Sequence, residues 1–145
     1  MADKAADRLV WTVECMNIRP ADTVLEIGCG WGGFAEFAAK DVGARVTAIT
    51  ISEEQFKFAK ERMFRLGLAE RADVRLVDYR DVSGTFDRVA SIEMFEAVGE
   101  RYWPTYFDKV RDSLKPGGQA GLPGDVAGGL QTHHRHFLRR GEALH

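Results

Sequence analysis

The segment "VLEIGCGWGGFAEFAA", residues 24–39, decides how the rest of the chain is read. A short run with strand character, Val24 to Ile27, enters four glycines within six positions and leaves as a helical pattern. Gly28, Gly30, Gly32 and Gly33 remove the side chains that would hold a ligand away from the backbone, and they place that open backbone before a helix N-terminus. No Gly-Lys-Ser/Thr follows, which excludes a phosphate-binding P-loop.

Working outward, the segments on either side repeat the same alternation. Ala6, Leu9, Val10 and Val13 have the spacing of one helix face over residues 4–18, and "RPAD" (19–22) breaks it before the strand 23–27. "RVTAITI" (45–51) reads as a second strand. Ser52 and Gln55 stand at capping-box spacing before a helix whose buried face is Phe56, Ala59, Met63 and Leu66, ended by Gly67. "ADVRLVD" (72–78) and "FDRVASI" (86–92) are the third and fourth strands, and a helix near 100–114 is stopped by a "KPGG" turn at 115–118. Strand and helix alternate with crossovers long enough for parallel pairing, which predicts an α/β three-layer, Rossmann-like, mostly parallel sheet. Its ligand then sits at the carboxyl ends of the strands.

The bulk properties narrow the class. At 145 residues the chain holds one core, and a net charge of -2 gives no electrostatic case for nucleic acid. No apolar run approaches the roughly 20 residues of a membrane span. Cys15 and Cys29 alone are no disulfide framework and suit a reducing, cytoplasmic setting. Past Gly118 only "QAGL" (119–122) remains of an expected fifth strand; the rest is glycine-rich, lacks a period and holds all four histidines, and with no carboxylate or cysteine at ligand spacing no metal site is expected.

The glycines alone fit a nicotinamide dinucleotide or S-adenosylmethionine. Glu26, two positions before Gly28, disfavours a pyrophosphate and suits a cationic ligand. The second strand ends Thr50-Ile51-Ser52 without the acid that usually holds an NAD ribose, although Glu53 follows at once. These residues favour S-adenosylmethionine and leave the dinucleotide open. Gln55 fits either a capping box or a ligand contact.

Four segments, "VLEIGCGWGGFAEFAA", "VTAITISEEQFKFAKERM", "VDYRDV" and "SIEMFEAVGERYWPTYFDKVRDSLKPGG", resemble the cyclopropane-fatty-acyl-phospholipid synthase family of class I, S-adenosylmethionine-dependent methyltransferases, in register from about residue 4 to 118. The resemblance implies that Glu26, Gly28, Cys29, Gly30 and Gly32 line the methionine end of the cofactor. By the same likeness Thr50, Ile51, Ser52 and Gln55 cradle its ribose, and Asp78 and Tyr79 form the adenine-side turn. Glu96 matches a carboxylate that helps to hold bicarbonate, the expected base and the only catalytic residue assigned. Met94, Phe95, Tyr102, Trp103, Tyr106 and Phe107 could wall an acyl chain or simply pack a core.

The implied reaction transfers a methyl(ene) group to the cis double bond of an unsaturated phospholipid acyl chain, giving a cyclopropane fatty acid. Its implied setting is cytoplasmic, at the inner face of the membrane. A small-molecule methyltransferase and a non-catalytic cofactor-binding fragment are the alternatives on the same fold. The expected organisation is a partial core, 1–118, with the sheet incomplete after the fourth or fifth strand, and an atypical, poorly ordered tail, 119–145. The tail is read as a shifted reading frame, since "QTHHRH" and "RRGEALH" admit family-like text in a neighbouring frame. Such a truncated chain is expected to bind cofactor weakly and to turn over little.

Overall fold

The computed structural model describes residues 16–91, 103–122 and 136–139. Residues 4–15 of the expected helix 4–18, and Glu93, Met94, Phe95, Glu96 and Tyr102, lie outside the described residues. Among the described residues six strands form one sheet: β1 (Thr23–Ile27), β2 (Arg45–Thr50), β3 (Ala72–Leu76), β4 (Phe86–Ala90), β5 (Leu114–Leu122) and β6 (His136–Arg139). Their order across the sheet is β3-β2-β1-β4-β5-β6. The first five strands run parallel, and β6 pairs antiparallel with β5. The strand order reverses between β1 and β4, and in open α/β sheets the crevice outside the strand ends at that reversal takes the ligand.

Strand periodicity sorts the core into two clusters, one on each face. Val24, Val46, Ala48, Val74 and Ala90 face one way, against α1 (Gly33–Phe37), its π-helical continuation Ala38–Val42, and α2 (Glu53–Arg65). Leu25, Ile27, Ile49 and Val89 face the other way, against Tyr79 and α3 (Trp103–Asp112), which buries Tyr106 and Val110. Helices on both faces of a mainly parallel sheet make the three layers that the alternation predicts. Ser52 caps α2: its Oγ accepts the Gln55 N–H at 3.2 Å.

The amino ends of β1 and β4 are tied directly. The backbone N–H and the hydroxyl of Thr23 both donate to Asp87 Oδ2, at 2.9 and 3.0 Å, and the Asp87 N–H donates back to Thr23 Oγ1 at 3.1 Å. Lys115 Nζ lies 3.5 Å from the other carboxylate oxygen. Chiefly the Thr23 backbone N–H, then its hydroxyl and Lys115, holds the Asp87 carboxyl below its ordinary value against the opposing cost of burial. Arg88 secures the entering chain, its Nε donating to the Met16 carbonyl at 2.8 Å.

One expectation is corrected here. "KPGG" does not end α3; the helix stops at Asp112, and Lys115–Gly118 lies inside β5 as an irregularity. β4 advances only from Phe86 to Arg88 while β5 advances from Leu114 to Gln119, so the intervening residues bulge. Gly118 belongs in that bulge: a Cβ there would come within 2.9 Å of the Asp87 and Lys115 carbonyl oxygens. Residue 118 itself lies within β5. Gln119–Leu122 complete β5, and His136–Arg139 add a strand that the sequence reading does not contain. Among the described residues no helix is long and apolar enough to cross a membrane.

Candidate functional site

Parallel strands deliver their carboxyl ends to one edge, and the site is built there. β1 ends in a loop whose Gly28, Gly30 and Gly32 all have positive φ, at 78, 54 and 96°. Residues with a Cβ rarely adopt these angles, so the glycines are required by the path of the loop itself. The N–H groups of Gly28 and Cys29 both donate to the Ile49 carbonyl, at 3.0 and 2.9 Å, and that of Gly32 donates to the Cys29 carbonyl at 3.0 Å. The loop is thereby stitched to β2 and to itself. Gly32 also packs against α2, where a Cβ would meet Met63 Cε at 3.1 Å and Ala59 Cβ at 3.3 Å.

Glu26 sits beneath this loop, only 3% exposed. Its Cα neighbours across the sheet are Ala48 on one side and Ala90 on the other, and the two small side chains leave room around the carboxylate. Cys29 is buried on the same face, within the core cluster that lines α1 and α2.

At the end of β2, Thr50 is buried and Ile51 is 63% exposed. Thr50 Oγ1 accepts the Ser52 N–H at 3.1 Å and donates to Gln55 Oε1 at 2.9 Å. Half of a capping box forms, with the Gln55 N–H on Ser52 Oγ, but the Gln55 side chain bonds Thr50 instead of reaching back to the Ser52 N–H. After β3, Asp78 caps a 3-10 turn, Tyr79–Asp81, accepting the Arg80 N–H at 2.9 Å. Its two carboxylate oxygens also take the Arg80 guanidinium at 3.0 and 2.8 Å. That side-chain pairing, then the Arg80 N–H, holds the Asp78 carboxyl below its ordinary value. The Tyr79 ring is used in packing, edge-on to Tyr106 at 5.1 Å. Burial above all raises the Tyr106 phenol, which donates a short hydrogen bond to the Ser91 hydroxyl at the end of β4.

The structure therefore gathers residues at and just beyond the carboxyl ends of β1, β2 and β3, namely Glu26, Gly28, Cys29, Gly30, Gly32, Thr50, Ile51, Ser52, Gln55, Asp78 and Tyr79, along one edge. Glu96 lies outside the described residues. The sequence reading does not single out three residues of this edge. Arg62 donates from α2 to the Trp31 carbonyl at 3.1 Å and pairs with Glu36, clamping the far side of the glycine loop. Arg80 holds Asp78, and exposed Leu76 is the Cα partner of Thr50. A capping pattern D-x-R could have flagged Arg80; no local signal marks Arg62, which acts 31 positions away. Among the described residues no three His, Cys, Asp or Glu side chains gather as a metal site.

Comparison with known proteins adds an independent line. The family model described as mycolic acid cyclopropane synthetase matches residues 2–136, reaching beyond residue 118. Tuberculostearic acid methyltransferase UfaA1 of Mycobacterium tuberculosis is 39% identical over 134 residues, covering 92% of this chain and 30% of that protein. Cyclopropane-fatty-acyl-phospholipid synthase of Escherichia coli K12 is 42% identical over 111 residues, covering 77% of this chain and 28% of that protein. The solved structure of mycolic acid cyclopropane synthase CmaA1 complexed with SAH and CTAB superposes with a TM-score of 0.75 at 22% identity, over 87% of this chain and 47% of that one. This chain spans about three-tenths of the length of the two curated relatives.

Proposed function

The chain belongs to the mycolic acid cyclopropane synthetase family, and from that premise we propose that it forms the cofactor-binding core of an S-adenosylmethionine-dependent enzyme acting on lipid acyl chains. The observation that carries this reading is the glycine loop. Its Gly28, Cys29 and Gly32 amides are engaged within the protein, and a buried carboxylate, Glu26, lies below. A pyrophosphate needs open amide donors and is repelled by a nearby anion; a phosphate-free, cationic ligand needs neither and gains from the carboxylate. The residues present fit the adenosyl cofactor. Glu26 and the loop suit its charged methionine end, Gln55 suits a ribose, and exposed Ile51 and Leu76 offer apolar surface to a base.

When bound, the cofactor supplies an electrophilic methyl group on a sulfonium. The residues that would hold the cofactor stand at the carboxyl ends of β1 and β2, beside β4, whose end carries Ser91 ahead of the crossover to α3. The finer reading is transfer to the cis double bond of a phospholipid acyl chain, with Glu96 in that crossover holding bicarbonate as the base. It rests on the sequence resemblance, and relatives named for both methyl and cyclopropane products match this chain in sequence.

Calorimetry with S-adenosylhomocysteine and with NADH tests the cofactor, and vesicles of unsaturated phospholipid test the acceptor. Saturable binding of S-adenosylhomocysteine without NADH binding is expected. NADH binding, or methyl transfer to soluble amines but never to vesicles, would overturn the reading.

A further inference from the structure

We propose that Thr50 is a positioning residue whose buried hydroxyl sets the side-chain amide of Gln55 so that Gln55 meets the cofactor as a hydrogen-bond donor. The inference rests on the functional reading above and goes beyond it, because it assigns Thr50 an indirect role in place of direct contact with the ribose. The argument is one of proton counting. A threonine hydroxyl has one hydrogen to donate and lone pairs to accept with. Here a lone pair takes the Ser52 N–H at 3.1 Å, and the hydrogen goes to Gln55 Oε1 at 2.9 Å. Thr50 is 4% exposed and has no second hydrogen for a ligand. Gln55 Oε1 is held on the protein side, and the two Nε2 hydrogens have no hydrogen-bond partner among the described residues.

Ser52 completes the device. Its hydroxyl anchors the Gln55 backbone N–H, and its own N–H locks the Thr50 oxygen. Both ends of the Gln55 side chain's path are thus fixed by residues at one strand end. A glutamine oriented in this way offers only donors, so the matching ligand group must present an acceptor oxygen, as a ribose hydroxyl does. Without Thr50 the amide can turn over, and either face of Gln55 can be presented.

The test is a double-mutant cycle read by calorimetric titration of S-adenosylhomocysteine into the full chain, with far-UV circular dichroism confirming the fold of each variant. Thr50→Val and Gln55→Ala are each expected to weaken binding about tenfold, and the double variant to bind no worse than Gln55→Ala alone. Thr50→Ser, which keeps the hydroxyl, restores affinity to within about twofold of wild type. A merely structural Thr50 gives losses that multiply in the double variant, and that result overturns the inference. Should Thr50→Val not fold, Gln55→Ala decides alone: unchanged affinity overturns the role of the amide. If the folded wild-type chain does not bind S-adenosylhomocysteine, the functional reading falls and this inference falls with it.

Discussion

The two edges of the sheet are made from similar materials and treated differently. At the amino edge, Thr23 and Asp87 exchange three hydrogen bonds across adjacent strands, so each polar group there is turned toward another of the same protein. At the carboxyl edge the backbone takes left-handed turns at Gly28, Gly30 and Gly32, and the side-chain network of Thr50, Ser52 and Gln55 ends on an amide that retains two donors. One edge closes the sheet and the other holds it open. Changes at the amino edge should therefore cost stability alone, whereas changes at the carboxyl edge should cost ligand binding as well.

The strongest way to break that contrast is at Gly32, where both demands meet. Gly32→Val adds a β-branched side chain at φ 96° and pushes a Cβ to 3.1 Å from Met63 Cε. A loss of about 2–4 kcal/mol in urea unfolding is expected, from left-handed strain and overpacking together. Binding of S-adenosylhomocysteine should vanish in whatever folded protein remains.

A smaller effect belongs to the opposite edge. Asp87→Ala leaves the Thr23 N–H and hydroxyl without their acceptor and should cost about 1–2 kcal/mol by urea titration. The folded variant should bind S-adenosylhomocysteine like wild type; a weaker affinity would show that the two edges are coupled.

The smallest expected effect is one of pH. Asp87 and Asp78 both titrate below the ordinary 3.8 in the folded chain. The unfolded chain therefore binds more protons as pH falls through 3.8, so both groups stabilise the fold above that value and lose their contribution below it. The urea midpoint of wild type should stay flat from neutral pH down to about pH 5 and then decline toward pH 3. Asp87→Asn should decline less steeply. An identical decline in that variant would place the acid sensitivity outside the amino edge.

Much of the architecture is legible because the strands are short apolar or alternating runs that stop at turn residues. β1, β2, β3 and α2 begin and end within a residue or two of their expected bounds for this reason. Only the amino half of β5 is misread, because Pro116 and two glycines look like a stop and the register against β4 makes them a bulge; "QAGL" at 119–122 is the expected remnant of the fifth strand. β6 is unread because a four-residue strand on the far side of β5 has too few positions to show a period, and its place is set by pairing. At the site the glycine loop was legible from composition. The direction taken by the Gln55 side chain was not, since spacing shows only that it lies three residues after Ser52. It depends on where one hydroxyl hydrogen of Thr50 points.

The amino-edge tie also bears on how the chain comes to be folded. Thr23 waits for a partner 64 positions downstream, and the Met16 carbonyl for one 72 positions downstream. A nascent chain emerging from the ribosome can pair β1 with β2, and β2 with β3, well before either partner is made. The half-sheet then has β1, its future centre, as an open border until β4 arrives. Pausing translation between residues 76 and 86 should prolong that vulnerable interval, and co-translational aggregation should track the length of the pause.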